Sequence, residues 1–405
     1  MTRRTDMMKK RIWFAGLLVF CFLGILFALT ASAASENPEV KAVQDAIAAE
    51  KLSWQAEVTP LSLLDREQKQ QRLGGRLSEV PVRMPAESFP EHGALPALLD
   101  WRNNGGNWIT SIKDQGSCGS CWAFATTALL EAMVKISKRM SQDIDLSEQM
   151  LLSCSTAGDC VLGGYEYKAA NYIKSTGIPN ESCYPYSARK TSCNPCAGWA
   201  SRVVRITSWS WVSTSTSGIE TALQSGPVTS WMAVYSDLYH YRSGVYQPTA
   251  GASYQGGHFV VIVGYNHIER YWICKNSWGT GWGESGFFRI RMGTSGMGTQ
   301  VLRMVKPILN NAPPVLQNIP DCSGEEGKNL AFTLSATDSD GDPLEFFADN
   351  LPEGAVLDAD SGAFSWMPAY TQSGIFDIRF RVSDGIVDDS QTVRITVQNV
   401  KRKQW

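Results

Sequence analysis

Apolar residues recur at helical spacing near the start of the chain: Val40, Val43 and Ile47. The run around them is rich in Ala, Glu and Lys, so it predicts an amphipathic helix. Farther on, Ser62 and Asp65 resemble a capping box. They predict a second helix that the pair Gly74-Gly75 would end. The stretch from Pro81 to Pro96 has four prolines and no clear period, which is typical of an extended linker.

The middle of the chain mixes two periodicities. Residues Cys121 to Met133 are apolar nearly all round and contain no Gly or Pro, so they predict a buried helix. Short apolar runs at Phe259–Val263 and Tyr271–Cys274 predict strands. This half of the chain is therefore expected to combine α and β structure.

Beyond Asn311-Ala312-Pro313-Pro314 the pattern changes to strict alternation. Apolar residues alternate with polar ones in two clear runs: Phe376, Ile378, Phe380 and Val382, and then Val393, Ile395 and Val397. Turn-forming residues separate the runs and helical patterns are absent. Residues 312 to 399 therefore predict an antiparallel β-sandwich.

The first 33 residues have the three parts of a secretory signal peptide. Basic residues come first, an apolar run from Ile12 to Leu29 follows, and Ala31-Ser32-Ala33 forms a small-x-small cleavage pattern. The alternative is an uncleaved membrane anchor, since the run is about long enough to span a bilayer. We expect cleavage after Ala33 and a secreted or cell-surface protein.

Composition narrows the classes of function. At 405 residues the chain is long enough for two or three domains, and 43% hydrophobic with 19% charged residues is ordinary for globular protein. A formal net charge of −2 gives no reason to expect nucleic acid as a partner. Ten cysteines suit an oxidising compartment, and Cys21 would leave with the signal peptide.

Three motifs carry the candidate chemistry. The first is Gln-Gly-Ser-Cys-Gly-Ser-Cys-Trp-Ala-Phe at 115–124, the second is Gly256-Gly257-His258, and the third is Lys-Asn-Ser-Trp-Gly at 275–279. Together they resemble the active-site segments of the papain and cathepsin family of cysteine peptidases. The separations of His258 and Asn276 from Cys121 lie near the about 130–150 residues expected for that family.

The resemblance implies a fold and a domain order. We expect an α+β papain-like domain of two lobes, one helical and one a β-barrel, at residues 95–310. A signal peptide at 1–33 and a propeptide at 34–94 would precede it, and an all-β cadherin-like or immunoglobulin-like sandwich at 311–400 would follow. The propeptide would act as the enzyme's own inhibitor, although a poorly ordered linker is the alternative. Release is expected at acid pH, where neutralised carboxylates weaken docking.

The resemblance also assigns roles in catalysis. Cys121 would be the nucleophile, with its pKa lowered by a helix N-terminus and by an imidazolium at His258. His258 would act as acid and base. Asn276 would orient the imidazole, and Trp278 would shield their hydrogen bond from water. Gln115 and the backbone N–H of Cys121 would stabilise the oxyanion. No cofactor or metal is implied.

Substrate contacts follow from the same resemblance. Gly163, Gly164 and Tyr165 would bind the backbone of a peptide substrate, although Val161-Leu162 adds a residue before them and puts the local register in question. Further candidates line the specificity pocket: Gly257, Trp231 and Phe259. If Trp231 and Phe259 face that pocket, it is shallow and favours small or medium apolar side chains. The alternative is that both rings pack in the core.

Three disulfides are implied by the resemblance: Cys118 with Cys160, Cys154 with Cys193, and Cys183 with Cys196. Cys121 would then remain unpaired. Cys274 would be a buried thiol in a strand, and Cys322 has no assigned role.

The tail domain has one candidate ligand site. Its carboxylates could bind calcium: Asp338, Asp340 and Asp342. A solvated turn between strands is the alternative. The domain would bind a surface, a glycan or a protein, or act as a spacer.

Rival functions stay open at this point. The papain-like part could be inert and the tail domain the active binding module, which the intact Gln-Cys-His-Asn set argues against. The acyl-enzyme could also pass to an amine instead of water, which is ligation. The absence of a paired-histidine loop between Tyr186 and Val203 favours an endopeptidase over the dipeptide-removing activity of cathepsin B.

Overall fold

The computed structural model describes residues 37–78, 95–310, 312–339, 344–384 and 387–400. The predicted signal peptide and nearly all of the predicted linker lie outside these ranges, as do Cys21 and His92. Among the described residues, no helix is both long and apolar enough to cross a bilayer.

The N-terminal segment begins with the predicted helix, at Pro38–Glu50. The side chain of Asn37 caps it by accepting from the first free backbone N–H groups. The second helix differs from the prediction: it spans only Arg66–Gln70, and its capping box joins Asp65 to Gln68. Ser62 is instead held in a buried turn, where its hydroxyl accepts from the backbone N–H of Thr59 at 3.0 Å. The glycine pair at 74–75 therefore does not end that helix.

Three helices build one lobe of the central domain: Cys121–Lys138, Glu148–Cys154 and Glu166–Ser175. In the first of them, 13 of the 18 residues are buried, which agrees with its apolar pattern on all sides. It packs against the strands Tyr254–Asn266 and Val301–Asn310. Its N-terminus, with Cys121, therefore lies where the helical lobe meets the sheet.

A nine-stranded sheet builds the other lobe. Its strands are hydrogen-bonded in this order: Trp54–Ala56, Tyr241–Tyr246, Phe287–Arg291, Tyr271–Lys275, Tyr254–Asn266, Val228–Tyr235, Val301–Asn310 and Val203–Trp211. Leu98–Asp100 pairs with Tyr254–Asn266 off this path. Trp54–Ala56 comes from the N-terminal segment, which thus adds an edge strand to the sheet. A short helix, Thr216–Leu223, packs against the strand Tyr254–Asn266.

The tail forms a separate β domain with its own core, which includes Phe364, Trp366 and Ile378. One sheet contains Cys322–Glu325, Asp388–Gln398, Gly374–Ser383 and Glu345–Asp349; another contains Leu330–Thr333, Ala363–Trp366 and Val356–Leu357. Val315–Leu316 pairs with Ala336–Thr337. The sheets are not wholly antiparallel as predicted, because the edge strand at Cys322 runs parallel to the last strand.

Among the described residues, the tail domain contacts the central domain at Asp384 and Val387. The side-chain amide of Asn180 donates to the carbonyl of Asp384 at 3.2 Å, and Val387 packs against the core of the central domain. The two cores are otherwise separate clusters.

Candidate active site

Cys121 is the first residue of the helix Cys121–Lys138 and is completely buried. Its thiol is free, as are those of Cys274 and Cys322 among the described residues. Cys274 is buried in the strand Tyr271–Lys275, while Cys322 is half-buried. A thiol at the N-terminus of a long helix lies where the helix dipole favours a negative charge.

His258 and Asn276 are placed by neighbouring strands. His258 lies in the strand Tyr254–Asn266, opposite Met232, and Asn276 directly follows the strand that ends at Lys275. Their side chains meet at 2.8 Å, from imidazole Nε2 to amide Oδ1. The Trp278 ring covers this contact, with its centroid 4.8 Å from that of His258. This bond fixes the plane of the imidazole ring and points its Nδ1 away from Asn276.

The other imidazole nitrogen, Nδ1 of His258, is buried and has no hydrogen-bond partner, sulfur included, among the described residues. The backbone N–H of the next residue, Phe259, is close enough to the Cys121 sulfur to lower the pKa of the thiol, against the larger effect of burial. The strand that carries His258 therefore passes close to the thiol, where a base for Cys121 is expected.

Burial changes the electrostatics of this pair. It raises the pKa of Cys121 to about 12, against the hydrogen bonds donated by Phe259, Gly74 and Trp122. It also lowers the pKa of His258 to about 4, against the opposing hydrogen bond of Asn276. The expectation of a lowered thiol pKa and an imidazolium is therefore wrong for this covered state, because desolvation outweighs the helix N-terminus. Both groups are neutral here.

Gln115, which precedes the helix Cys121–Lys138, is also completely buried. Its Nε2 donates to the carbonyl of Cys118 at 2.8 Å and to that of Arg72 at 3.0 Å. Its Oε1 accepts from the Ser277 hydroxyl at 2.7 Å, which fixes the amide orientation. A carbonyl oxygen from the N-terminal segment thus already occupies the donor that an oxyanion would need.

The N-terminal segment runs through the cleft between the lobes, and we call Leu73–Ser78 the cleft segment. On one wall, Gly164 donates to the Gly74 carbonyl at 2.8 Å and accepts from the N–H of Arg76 at 3.0 Å. On the other, the Gly257 carbonyl accepts from the N–H groups of Gly74 and Gly75 at 3.1 and 2.9 Å. The cleft segment therefore bridges both lobes above the thiol.

Main chains meet directly in this cleft. A Cβ added to Gly74 would lie 1.9 Å from the carbonyl oxygen of Gly119. One added to Gly75 would lie 2.7 Å from the backbone nitrogen of His258. Gly163, at φ +71°, would place a Cβ 2.2 Å from the Gly74 carbonyl oxygen. Only glycine fits such close approaches.

The other predicted substrate residues separate into two groups. Tyr165 and Trp231 face the cleft segment: the Arg76 guanidinium lies 4.9 Å from the Tyr165 ring centre, and Trp231 Nε1 donates to the Gly75 carbonyl at 2.9 Å. Phe259 is 1% exposed and lines an internal cavity with Lys113. The alternative that the ring packs in the core therefore applies to Phe259. Of these two rings, only that of Trp231 remains a candidate for shaping the substrate pocket.

The extra residue before Gly163 is absorbed in a turn. Asp159 Oδ1 accepts from the N–H groups of Val161 and Leu162, and the side chains of both are exposed. Gly163 and Gly164 thus keep their place on the cleft wall.

The three disulfides implied by the resemblance are confirmed: Cys118–Cys160, Cys154–Cys193 and Cys183–Cys196. The first joins the turn before Cys121 to the loop before Gly163. It therefore holds the Gly163–Gly164 wall of the cleft to the helix that begins with Cys121.

Three residues at the cleft or beneath the N-terminal segment were missed by the sequence analysis. Glu166 and Gln300 are buried next to Trp231's strand, and His240 is buried under the N-terminal segment. A charged residue directly after Gly-Gly-Tyr was a signal for Glu166. Gln300 and His240 are brought in by distant parts of the sheet, and no local pattern marks them.

The calcium candidate stays a prediction. Asp340 and Asp342 lie outside the described ranges, and within those ranges no three His, Cys, Asp or Glu side chains form a group that could hold a metal ion.

Comparisons with known proteins agree with this geometry. The family model of papain family cysteine proteases matches residues 95–305, and a model of an Ig domain, He_PIG, matches residues 313–398. A cathepsin L-like proteinase of Fasciola hepatica is 39% identical over 208 residues, which are 49% of this chain and 60% of that protein. Macrodontain-1 of Ananas macrodontes is 36% identical over 51% of this chain and 93% of its own length.

Solved structures show the same fold. Procathepsin L 3 from the larval midgut of Tenebrio molitor superposes with a TM-score of 0.55 at 28% identity, covering 66% of this chain and 88% of its own. A recombinant stem bromelain precursor gives 0.54 at 29%, covering 67% and 89%. The fold is thus papain-like with an Ig-like domain after it, and the chain belongs to the papain family of cysteine proteases.

Proposed function

We propose that this protein is a secreted cysteine endopeptidase, made as an inactive precursor, that hydrolyses peptide bonds through a thioester on Cys121. The observation that carries the proposal is the cleft segment, which lies over Cys121 and bonds to both cleft walls, while the carbonyl of Arg72, directly before it, accepts from Gln115. Precursor structures among the neighbours support the same reading. On this proposal residues 34–94 are removed, and 95–310 form the mature peptidase domain.

The residues in place can carry out the whole reaction. When the cleft segment leaves, water returns to the thiol and the imidazole, and the desolvation that keeps them neutral is relieved. The thiol proton of Cys121 passes to His258, and the sulfur attacks the substrate carbonyl carbon, while Gln115 Nε2 and the N–H of Cys121 donate to the oxygen that becomes negative. His258 then protonates the leaving amine, and in the second step it takes a proton from the water that hydrolyses the thioester.

Secretion is proposed on two grounds. The first 33 residues have the pattern of a signal peptide, and three disulfides within residues 118–196 suit an oxidising compartment. For the tail domain we propose a separate binding or spacing role, because its core does not contribute to the cleft.

A comparison of wild type with Cys121→Ala tests the proposal. After acid treatment under reducing conditions, wild type is expected to cleave peptides and to lose its N-terminal segment, because both reactions need the thiolate. Cys121→Ala is expected to do neither. Rates are followed with a fluorogenic peptide, and processing is followed by mass spectrometry.

The matched control is Cys322→Ala, which removes a free cysteine in the tail domain and is expected to behave like wild type. Cleavage by Cys121→Ala at the wild-type rate would exclude Cys121 as nucleophile. An amine acceptor added to the same tubes separates hydrolysis from ligation, since ligation would give the amide product.

A further inference from the structure

A cavity of about 240 Å³ lies in the helical lobe, and its walls carry an excess of negative charge. One lysine, Lys113, lines it together with four carboxylates: Asp114, Asp145, Glu148 and Glu181. Among the described residues that line this cavity, none belongs to the cleft segment or to the glycine walls of the cleft. The proposed reaction gives these carboxylates no role.

Two carboxyl oxygens at this cavity lack a partner. Glu148 is 1% exposed. Its Oε1 accepts from Lys113 Nζ at 2.9 Å, whereas its Oε2 is buried and has no hydrogen-bond donor among the described residues. Glu181 shows the same division, because its Oε1 accepts from the N–H of Tyr186 at 2.6 Å and its buried Oε2 has no donor in the described part of the chain. Buried oxygens of this kind are costly, so the cavity lacks a donor group.

The cation already present cannot serve both oxygens. The Lys113 ammonium is shared among three carboxylates: Glu131, Asp145 and Glu148. Burial raises the pKa of Glu181 to about 7, against a backbone hydrogen bond and the charge of Lys113. Burial also raises the pKa of Glu148, against the charge of Lys113 and together with the charges of Glu131 and Glu181. A further cation beside the two carboxyls would stabilise their ionised forms.

The rest of the lining indicates which cation fits. Phe124 and Tyr186 contribute aromatic rings, packed edge to face with their centroids 4.8 Å apart. A guanidinium stacks on aromatic faces and has five N–H donors in one plane, so it can donate to two carboxyls at once. The chain itself places a guanidinium at one of the lining carboxylates, since Nη1 of Arg72 is 2.6 Å from Asp114 Oδ1.

We propose that this cavity is a binding site for the guanidinium of an arginine, with Glu148 and Glu181 as its acceptors and the rings of Phe124 and Tyr186 as its aromatic wall. The arginine is free or belongs to a peptide or protein, and the chemistry recognised is the same. Both oxygens lack donors while the cleft segment is docked. Binding is therefore expected in the unprocessed chain, and it does not require catalysis.

A charged probe and its neutral isostere test the site. In the unprocessed full chain with Cys121→Ala, titration calorimetry is run with acetyl-arginine amide and with acetyl-citrulline amide, which has nearly the same shape without the charge. The arginine probe is expected to bind with a Kd on the order of 1 mM. The citrulline probe should bind about tenfold more weakly or less, because it makes no charge-assisted hydrogen bond. The docked cleft segment keeps both probes out of the cleft.

Glu181→Gln keeps the size of the side chain and removes one carboxylate. It is expected to weaken binding of the arginine probe by about tenfold, and thermal unfolding checks that the variant is folded. Glu345→Gln is the matched control, because Glu345 is exposed in the tail domain, and it should bind the probe as the parent chain does.

Proton release gives a second measurement that needs no further variant. The charged groups that act on Glu181 are Lys113, Glu131, Asp145 and Glu148. At pH 7 a carboxyl with a pKa of about 7 is about half protonated. A guanidinium lowers that pKa and expels the proton, so binding should tighten as the pH rises from 6 to 8. Calorimetry in two buffers of different ionisation enthalpy should show about half a proton or more released per probe bound at pH 7.

Each outcome decides the matter. Equal affinities for the arginine and citrulline probes, or an unchanged affinity in Glu181→Gln, would overturn the site. Binding without proton release would exclude Glu181 as an acceptor. If the arginine probe does not bind at about 10 mM, protons alone neutralise the two carboxyls and the site does not exist. A capped glycyl-arginyl-glycine peptide separates the sources: tighter binding than L-arginine assigns the site to an arginine of a peptide or protein, and weaker binding assigns it to the free amino acid.

Discussion

Gly74 makes the tightest contact at the scale of single residues. Its Cα lies against the main chain of Gly119, so any side chain there would meet the Gly119 carbonyl at 1.9 Å. The backbone on both sides is fixed, on one by the Cys118–Cys160 disulfide and on the other by hydrogen bonds to Gly257. The contact cannot relax by a rotation of a side chain.

We predict that Gly74→Ala weakens the docking of the cleft segment by about 1–3 kcal/mol. The variant should process itself faster and at a higher pH than wild type, which is measured as the pH of half-maximal processing by gel or mass spectrometry. Leu77→Ala is the control, because the side chain of Leu77 is exposed. Equal midpoints for Gly74→Ala and wild type would contradict the tight fit.

Sequence motifs predicted which residues lie at the cleft better than they predicted the protonation of those residues. The structure brings His258 and Asn276 into contact at 2.8 Å beside the helix that begins with Cys121, and the catalytic roles of the three residues stay a proposal. The motifs did not predict that burial raises the thiol pKa in this covered state, because the cleft segment that buries the thiol lies more than 40 positions before it. The predicted capping box of Ser62 with Asp65 is replaced by one of Asp65 with Gln68. Ser62 bonds Thr59 and His240 instead, a choice made by tertiary contacts.

The docking of the N-terminal elements on the sheet depends on a buried histidine. His240 Nδ1 is 2.8 Å from the Ser62 hydroxyl, and its Nε2 is 3.6 Å from Glu39, which also binds Lys69 at 3.0 Å. Asp65 and Arg66 line the same cavity. Burial, and then Lys69, lower the pKa of His240 to about 4, against the opposing effect of Glu39.

The sign of the pH dependence follows from this shift. The docked state binds the proton less well than the free imidazole, whose pKa is about 6.5. Docking is therefore favoured above about pH 6.5 and weakens as the pH falls toward 4, because the released state takes up the proton. This contribution adds to that of neutralised carboxylates.

We predict that His240→Gln moves the midpoint of acid processing to a lower pH, since the uncharged amide can bond Ser62 but cannot titrate. His267→Gln is the matched control, because His267 is half-exposed and binds Glu220 away from the N-terminal segment. The midpoint is read from processing at a series of pH values. A midpoint that moves equally in both variants would point to a general effect of losing a histidine.

A buried ion cluster joins the helices of the first lobe. Lys113 Nζ contacts Glu131 at 3.1 Å, Glu148 at 2.9 Å and Asp145 at 2.6 Å. Burial opposes the charge on Lys113, but the three carboxylates outweigh it and hold the Lys113 pKa above its ordinary value. Glu131 and Glu148 are almost wholly buried, so they depend on Lys113, on the charge of the nearby buried Lys275 and on hydrogen bonds.

We predict that Lys113→Met lowers the free energy of unfolding by about 3–5 kcal/mol, because two buried carboxylates lose their partner. Urea titration of the full chain at neutral pH measures the change. Lys41→Met is the comparison: its pair with Asp45 is exposed on both sides, so a loss within about 0.5 kcal/mol is expected. Similar losses of unfolding free energy in the two variants would show that burial of the ion pairs does not determine their contribution to stability.

At the scale of the whole molecule, two hydrophobic cores are joined by a small contact. The three disulfides in the part of the chain that the structure describes lie between Cys118 and Cys196, within the peptidase domain. The tail domain contributes only Cys322, whose thiol is free. The change from mixed to alternating periodicity in the sequence predicted a fold of mixed α and β structure followed by an all-β region, and the structure has both. It could not predict the contact of Asn180 with the Asp384 loop.

We predict two unfolding transitions by calorimetry, of which a reducing agent lowers only one. Reduction removes three cross-links from the peptidase domain, at about 2–4 kcal/mol each, and none from the tail domain. The Cys121→Ala variant is used so that the chain stays intact during heating. A single transition, or two that shift together, would mean that the contact through Asn180 couples the domains.

The passage of the cleft segment over the thiol also sets how activation depends on concentration. On the proposed function, the segment acts as an inhibitor at an effective concentration of about millimolar while it is part of the same chain. Once cut, it binds only as a separate molecule at its actual concentration, so dilution alone drives it off. In a dilute medium a single cut would commit the enzyme to activity. In a crowded or confined space the released segments would stay concentrated. They would keep inhibiting the enzyme molecules around them until the segments diffuse away.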